Sequence, residues 1–164
     1  MKNIRIDVPR DRLIFALDVG DGLAEALTWV ERLRDHVGIF KVGKEAFTHL
    51  GPELVEAIRR DGGRVFLDLK FHDIPNTVAR AAEAAVRLGV SMFNVHALGG
   101  IDMMKETARA VRNEAGRLSV TPPVVLAVTV LTSLDDRDLA DLGFRMSTEA
   151  LVAHLAKRAQ EAGL

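Results

Sequence analysis

The sequence contains no cysteine. That excludes disulfide bonds, thiolate zinc sites and a cysteine nucleophile. It has no dominant charge either: 22 basic and 23 acidic side chains leave a net charge of −1. No global field therefore draws the chain to nucleic acid or to an anionic membrane, and only a local cationic pocket is left open. No stretch reaches membrane-spanning length without charge. The start, Met1 to Asp7, lacks the apolar run of a signal peptide, so the expected location is cytoplasmic. There is no low-complexity tract, no linker-like segment and no glycine-rich phosphate loop. His36, His49, His72 and His154 are scattered without metal-ligand spacing.

What is present is ordinary globular composition, with 48% apolar and 27% charged residues over 164 positions. A chain of this length buries one core, so residues 1–164 are read as a single domain. Short apolar runs alternate with longer helical patterns, as in strand–helix units around a parallel sheet. Strands are expected at 13–18, 38–42, 64–70, 91–96 and 123–131. Helices are expected at 22–35, 44–60, 75–88, 100–114 and 147–162. Pro75 suits a first helical turn, Gly89 the position just past a helix, Ser147 an N-cap and Gly163 a stop. Residues 134–144 read as a loop with one short helix.

Strand side chains alternate between faces. Ile14, Ala16 and Asp18 then share a face, as do Ile39 with Lys41, and Phe66 with Asp68 and Lys70. Asn94 and His96 close the fourth strand, and Thr132 follows Val128 and Val130 at the end of the fifth. Each strand brings a polar residue to its carboxyl end, where ligands bind in α/β barrels and open sheets alike. Taken singly, each residue has a plain structural reading. Asp18 could hold a turn, Lys41 could snorkel, and Asp73 could sit as an anion at a helix N-terminus. His96 could be a hydrogen-bonded structural imidazole, and Thr132 a loop hydroxyl. The conjunction of Lys41, Asp68, Lys70 and Asp73 is what these readings explain poorly.

The segment Asp68–Thr77, DLKFHDIPNT, resembles the signature of the orotidine 5′-monophosphate decarboxylase family, whose fold is a (β/α)8 TIM barrel. LIFALDV (13–19), FKVGKEAF (40–47), NVHALGG (94–100) and VTVLTS (128–133) extend the resemblance over essentially the whole chain in order and spacing. It implies conversion of OMP to UMP, within pyrimidine biosynthesis, without cofactor or metal. By the family's pattern Lys70 is the proton donor, held cationic by Asp68 and Asp73, and Asp68 sits beside the scissile carboxylate. Lys41 completes the charge chain and touches the ribose together with Asp18, and Thr132 faces the base. Asp73, Ile74 and Thr77 reach the site of a neighbouring subunit, so a homodimer is implied, with no nucleic-acid or membrane partner.

Three other readings stand beside this one. A sugar-phosphate decarboxylase or hexulose-phosphate synthase on the same barrel shares the Asp-x-Lys-x-x-Asp spacing but binds magnesium through an acidic residue on strand two. Lys41 occupies that position here and would repel the ion. Five strand–helix units, where a barrel has eight over roughly 250 residues, suggest a truncated barrel. The phosphate-gripping arginine and glutamine after the later strands would then be missing, leaving a non-catalytic fragment. A complete flavodoxin-like domain is the third; its missing phosphate loop counts against it.

Overall fold

The computed structural model describes residues 8–18 and 22–164. Residues 19–21, where Asp18 could hold a turn, and the first seven residues lie outside them. A short 3-10 turn, Pro9–Arg12, leads into β1 (Ile14–Ala16), followed by α1 (Leu23–Leu33), β2 (Ile39–Gly43) and α2 (Lys44–Arg60). Next come β3 (Val65–Phe71), α3 (Pro75–Leu88), β4 (Met92–His96) and, after a second 3-10 turn, α4 (Ile101–Leu118). β5 (Val124–Val128), α5 (Asp136–Asp141) and α6 (Thr148–Ala162) complete the order. The strands form one sheet in the order β1-β2-β3-β4-β5, and every neighbouring pair is parallel. This sequential order is what right-handed strand–helix–strand crossovers on one face produce.

The parity read from the sequence decides which face is buried. Phe40, Val42, Val65, Leu67, Phe93 and Val95 point to the helix-covered side and are 0–3% exposed. They meet Leu54, Val55 and Ile58 of α2, Val78, Ala82 and Val86 of α3, and Met104 and Val111 of α4 in one core. Each fully buried side chain of this size contributes about 1.5–3 kcal/mol. At the amino ends of the strands, Arg64 joins Asp11 at 2.8 Å and donates through Nε to the Gly38 carbonyl at 2.9 Å. Gly38 must be small there, because a Cβ would lie 2.7 Å from the Asp11 backbone.

Several boundaries differ from expectation for identifiable reasons. β1 covers Ile14–Ala16 rather than 13–18, although the Leu17 amide still donates to the Lys41 carbonyl at 2.9 Å. β5 ends at Val128 rather than 131, because its partner β4 ends at His96, which pairs with Val128. Thr132 is therefore not on a strand; it is exposed in a turn closed by the Leu134 amide and the Leu131 carbonyl. α2 is not continuous: Gly51 has φ 61° and ψ −160°, and Pro52 follows it. Proline disfavours a helical residue before it, so the Gly-Pro step breaks the helix. α4 runs four residues past the expected 114, since Glu114 and Ala115 are buried. The α3 start at Pro75 and its left-handed Gly89 cap agree with the sequence reading. So does Ser147, whose hydroxyl accepts from the Ala150 amide. The 134–144 segment does carry a short helix, α5, closed at its start by a capping box between Asp135 and Asp138.

Candidate active site

Four charged side chains alternate in sign across the carboxyl ends of β1, β2 and β3. Lys41 Nζ lies 2.7 Å from Asp18 Oδ2 and 4.0 Å from Asp68 Oδ2. Lys70 Nζ lies 2.6 Å from Asp68 Oδ1. The Lys41, Asp68 and Lys70 side chains are 17%, 15% and 27% exposed, partly withdrawn from water yet still open to a ligand. Gly43, at the end of β2, leaves room for the first pair. A Cβ there would sit 3.0 Å from Lys41 Nζ and 3.1 Å from Asp18 Oδ1.

Asp68 is the centre of the array. Burial alone would push its carboxyl up. Hydrogen bonds from Lys70 and Asn94, with the charges of Lys70 and Lys41, outweigh burial and hold it below the ordinary aspartate value. It is an anion at neutral pH. Lys70 next to it is unusual in its backbone: φ is 52°, in the left-handed region, at a site where the β3–β4 register shifts between Leu67 and Phe71. Such a conformation costs an L-residue roughly 1–2 kcal/mol and marks sites where geometry is imposed from outside.

Of the residues expected from the sequence, Asp18, Lys41, Asp68 and Lys70 come together. Asp73, Ile74 and Thr77 lie just beyond β3, all exposed. The Asp73 carboxylate accepts from the Ile74 amide at 2.7 Å, and among the described residues it forms no ion pair. A local amide has taken the carboxylate, so within one chain it does not join Lys70. Thr132, on its turn after β5, makes no hydrogen bond to the array among the described residues. Asn94 and His96 were placed on the right face by parity, but Asn94 was given no role. It donates from Nδ2 to Asp68 Oδ1 at 2.6 Å. His96 packs against His72 with ring centroids 5.4 Å apart. Burial, then the charges of His72, Lys44 and Lys70, lower its pKa, favouring the neutral imidazole. Among the described residues no three His, Asp or Glu side chains gather in a way that could hold a metal ion.

Two cations flanking an anion, with a second anion outside, suit a reaction that builds negative charge on a substrate and then protonates it. Comparison with known proteins identifies the relatives of this arrangement. Residues 11–164 match the pattern of the "Orotidine 5'-phosphate decarboxylase / HUMPS family". The chain belongs to that family. Among the curated members, an orotidine 5'-phosphate decarboxylase from Syntrophus aciditrophicus is 64% identical over 154 residues, covering 94% of this chain and 61% of the relative. An orotidine 5'-phosphate decarboxylase structure from Lactobacillus acidophilus superimposes with a TM-score of 0.80 at 36% identity, covering 92% of this chain and 67% of that one. An orotidine 5'-monophosphate decarboxylase from Methanocaldococcus jannaschii, complexed with the inhibitor BMP, gives 0.69 at 25% identity, covering 93% and 64%. The five strand–helix units thus correspond to part of the family's (β/α)8 barrel. The chain spans 61–65% of the length of the curated relatives it matches.

Proposed function

We propose that this chain carries the charged half of a site that decarboxylates orotidine 5′-monophosphate to UMP. The observation that carries the reading is the alternating Asp18–Lys41–Asp68–Lys70 array at the strand carboxyl ends. In this reading the substrate carboxylate lies beside Asp68, with Lys41 and Asp18 at the ribose. The bond from ring carbon to carboxylate breaks, CO2 leaves, and the electron pair stays on the ring carbon. The Lys70 ammonium stabilises that pair by charge and then delivers its proton to the carbon; solvent reprotonates the neutral amine. No step calls on a cofactor or metal. Lys41 on β2, where a magnesium-dependent sugar-phosphate enzyme of this barrel would have an acid, favours the nucleotide reaction over that alternative.

The active unit in this reading is a homodimer, and the protein is cytoplasmic. Asp73, Ile74 and Thr77 would reach the partner's site, with Thr132 facing the base. The exposure of Ile74, 67%, supports this, since a large apolar side chain beside a charged site gains by being covered. No helix among the described residues is long and apolar enough to cross a membrane. Residues 1–164 form one incomplete barrel domain, so the second reading, a fragment of low activity, is favoured for the chain by itself by its 61–65% coverage of its relatives. The test is UMP formation by this chain, by a version continued through the length of its relatives, and by the continued version with Lys70→Ala. The continued version should be active, the short chain nearly inactive, and Lys70→Ala should remove activity while leaving nucleotide binding measurable. Unchanged turnover in Lys70→Ala would remove Lys70 as the proton donor.

A further inference from the structure

The left-handed backbone of Lys70 is not explained by β3 itself. Its neighbours Leu69 and Phe71 are ordinary strand residues, and lysine does not favour that region. The explanation lies one strand away. Asn94 on β4 is 4% exposed. Its Oδ1 accepts from the Lys70 backbone N–H at 2.7 Å, and its Nδ2 donates to Asp68 Oδ1 at 2.6 Å. The same Asp68 oxygen accepts from Lys70 Nζ at 2.6 Å. The orientation of the amide is chemically determined, because a backbone N–H can only donate and an ionised carboxylate can only accept. One buried side chain thus grips both the backbone of the lysine and the carboxylate that the lysine faces.

We propose that Asn94 is a positioning residue: its carboxamide holds Lys70 in the left-handed conformation and turns Asp68 toward it, thereby setting where the ammonium stands. Its consequence for turnover rests on the decarboxylase reading; its geometry does not. Leucine or alanine at 94 would leave the Lys70 N–H without its acceptor. Aspartate would keep the acceptor but set a second carboxylate against Asp68. Asp68 is otherwise faced by Lys70 from β3 and by Lys41 from β2, with Asp18 joined through Lys41. Those charged side chains are unaltered in each variant, so a change in the Asp68 titration reads the loss of Asn94 and the shift of Lys70 that follows from it.

The experiment is NMR on the 164-residue chain and its Asn94→Ala and Asn94→Asp variants, reading Lys70 amide exchange and the carboxyl titration of Asp68. In Asn94→Ala, Lys70 exchange should rise about tenfold or more, and Asp68 should titrate at higher pH. In Asn94→Asp, Lys70 exchange should stay near that of the parent while the Asp68 titration moves up further. Asn94→Leu, which keeps the volume, replaces alanine if the cavity unfolds the chain. Parent-like exchange and titration in the folded alanine or leucine variant would overturn the proposal. Neither readout requires turnover, so failure of the decarboxylase reading leaves it intact. In the continued version, Asn94→Ala should lower kcat about 10²-fold with little change in KM, the signature of a misplaced reacting group. An unchanged kcat there would confine Asn94 to a structural role.

Discussion

Asp68 and Glu114 are both carboxylates flanked by two cations, but they are satisfied differently. Glu114 bridges α3 and α4. Its Oε1 accepts from Arg87 and Arg117 at 2.7 Å each, and its Oε2 accepts from Arg117 Nε at 2.8 Å. A planar guanidinium fork grips both oxygens, and the Glu114 side chain is 8% exposed. Asp68 accepts two bonds on Oδ1, while Oδ2 has Lys41 only at 4.0 Å, beyond hydrogen-bond range. Its cations are lysines, compact charges on mobile stems that can give up a proton. The saturated cluster ties two helices together. The cluster whose Oδ2 accepts no hydrogen bond among the described residues sits at the strand ends, open to a ligand.

The largest expected effect that separates them is on turnover. In a version continued through the length of its relatives, Asp68→Asn should lower UMP formation by about 10²–10⁴-fold. Because these groups are partly exposed, its stability should change by no more than about 1 kcal/mol. Glu114→Gln should do the reverse, leaving kcat and KM alone and lowering the thermal midpoint by a few degrees, measured by thermal unfolding. A Glu114 variant that loses activity at full stability would erase the distinction between the clusters.

That distinction was only half legible in the sequence. Parity along each strand was enough to bring Asp18, Lys41, Asp68 and Lys70 to one end of one face, because a two-residue period needs no tertiary knowledge. Asn94 shared the phase but could not be given a task. Its bond to the Lys70 amide depends on the register shift between β3 and β4, which no local pattern reports. The Glu114 cluster was missed for the same reason: the Arg117 spacing is visible, but Arg87 arrives from another helix. The end of β5 is set by the length of its partner β4 rather than by its own apolar run. The Gly51–Pro52 break, by contrast, stood in the sequence as a glycine-proline step within a segment read as continuous helix.

A smaller effect follows from pH. Arg117 and then Arg87, by hydrogen bonds, hold Glu114 down from 4.5 to about 2. A depressed carboxylate contributes stability above its unfolded pKa and loses it as pH falls through the folded one. The Glu114 contribution should therefore be complete above about pH 4.5 and disappear toward pH 2. Thermal midpoints measured across that window should fall more steeply in the parent than in Glu114→Gln. Parallel curves would mean that the arginines contribute nothing to folding through this carboxylate.

The smallest expected effect tests how closely the array is packed. A methyl group at position 43 would meet Lys41 Nζ at 3.0 Å and Asp18 Oδ1 at 3.1 Å, contacts tight by a few tenths of an ångström. Both atoms are at the ends of side chains, so the fold can yield where a backbone clash could not. Gly43 also has φ −84°, which alanine adopts freely, so no backbone strain is added. Gly43→Ala should therefore change stability by no more than about 0.5 kcal/mol. Lys41 and Asp18 would move apart, and in the proposed reading they hold the ribose rather than the reacting carbon. The continued Gly43→Ala version should show a KM raised about three- to tenfold with kcat nearly kept, the pattern of lost uniform binding. A fall in kcat with KM unchanged would instead mean that the Asp18–Lys41 end of the array shares in the chemistry at Asp68 and Lys70.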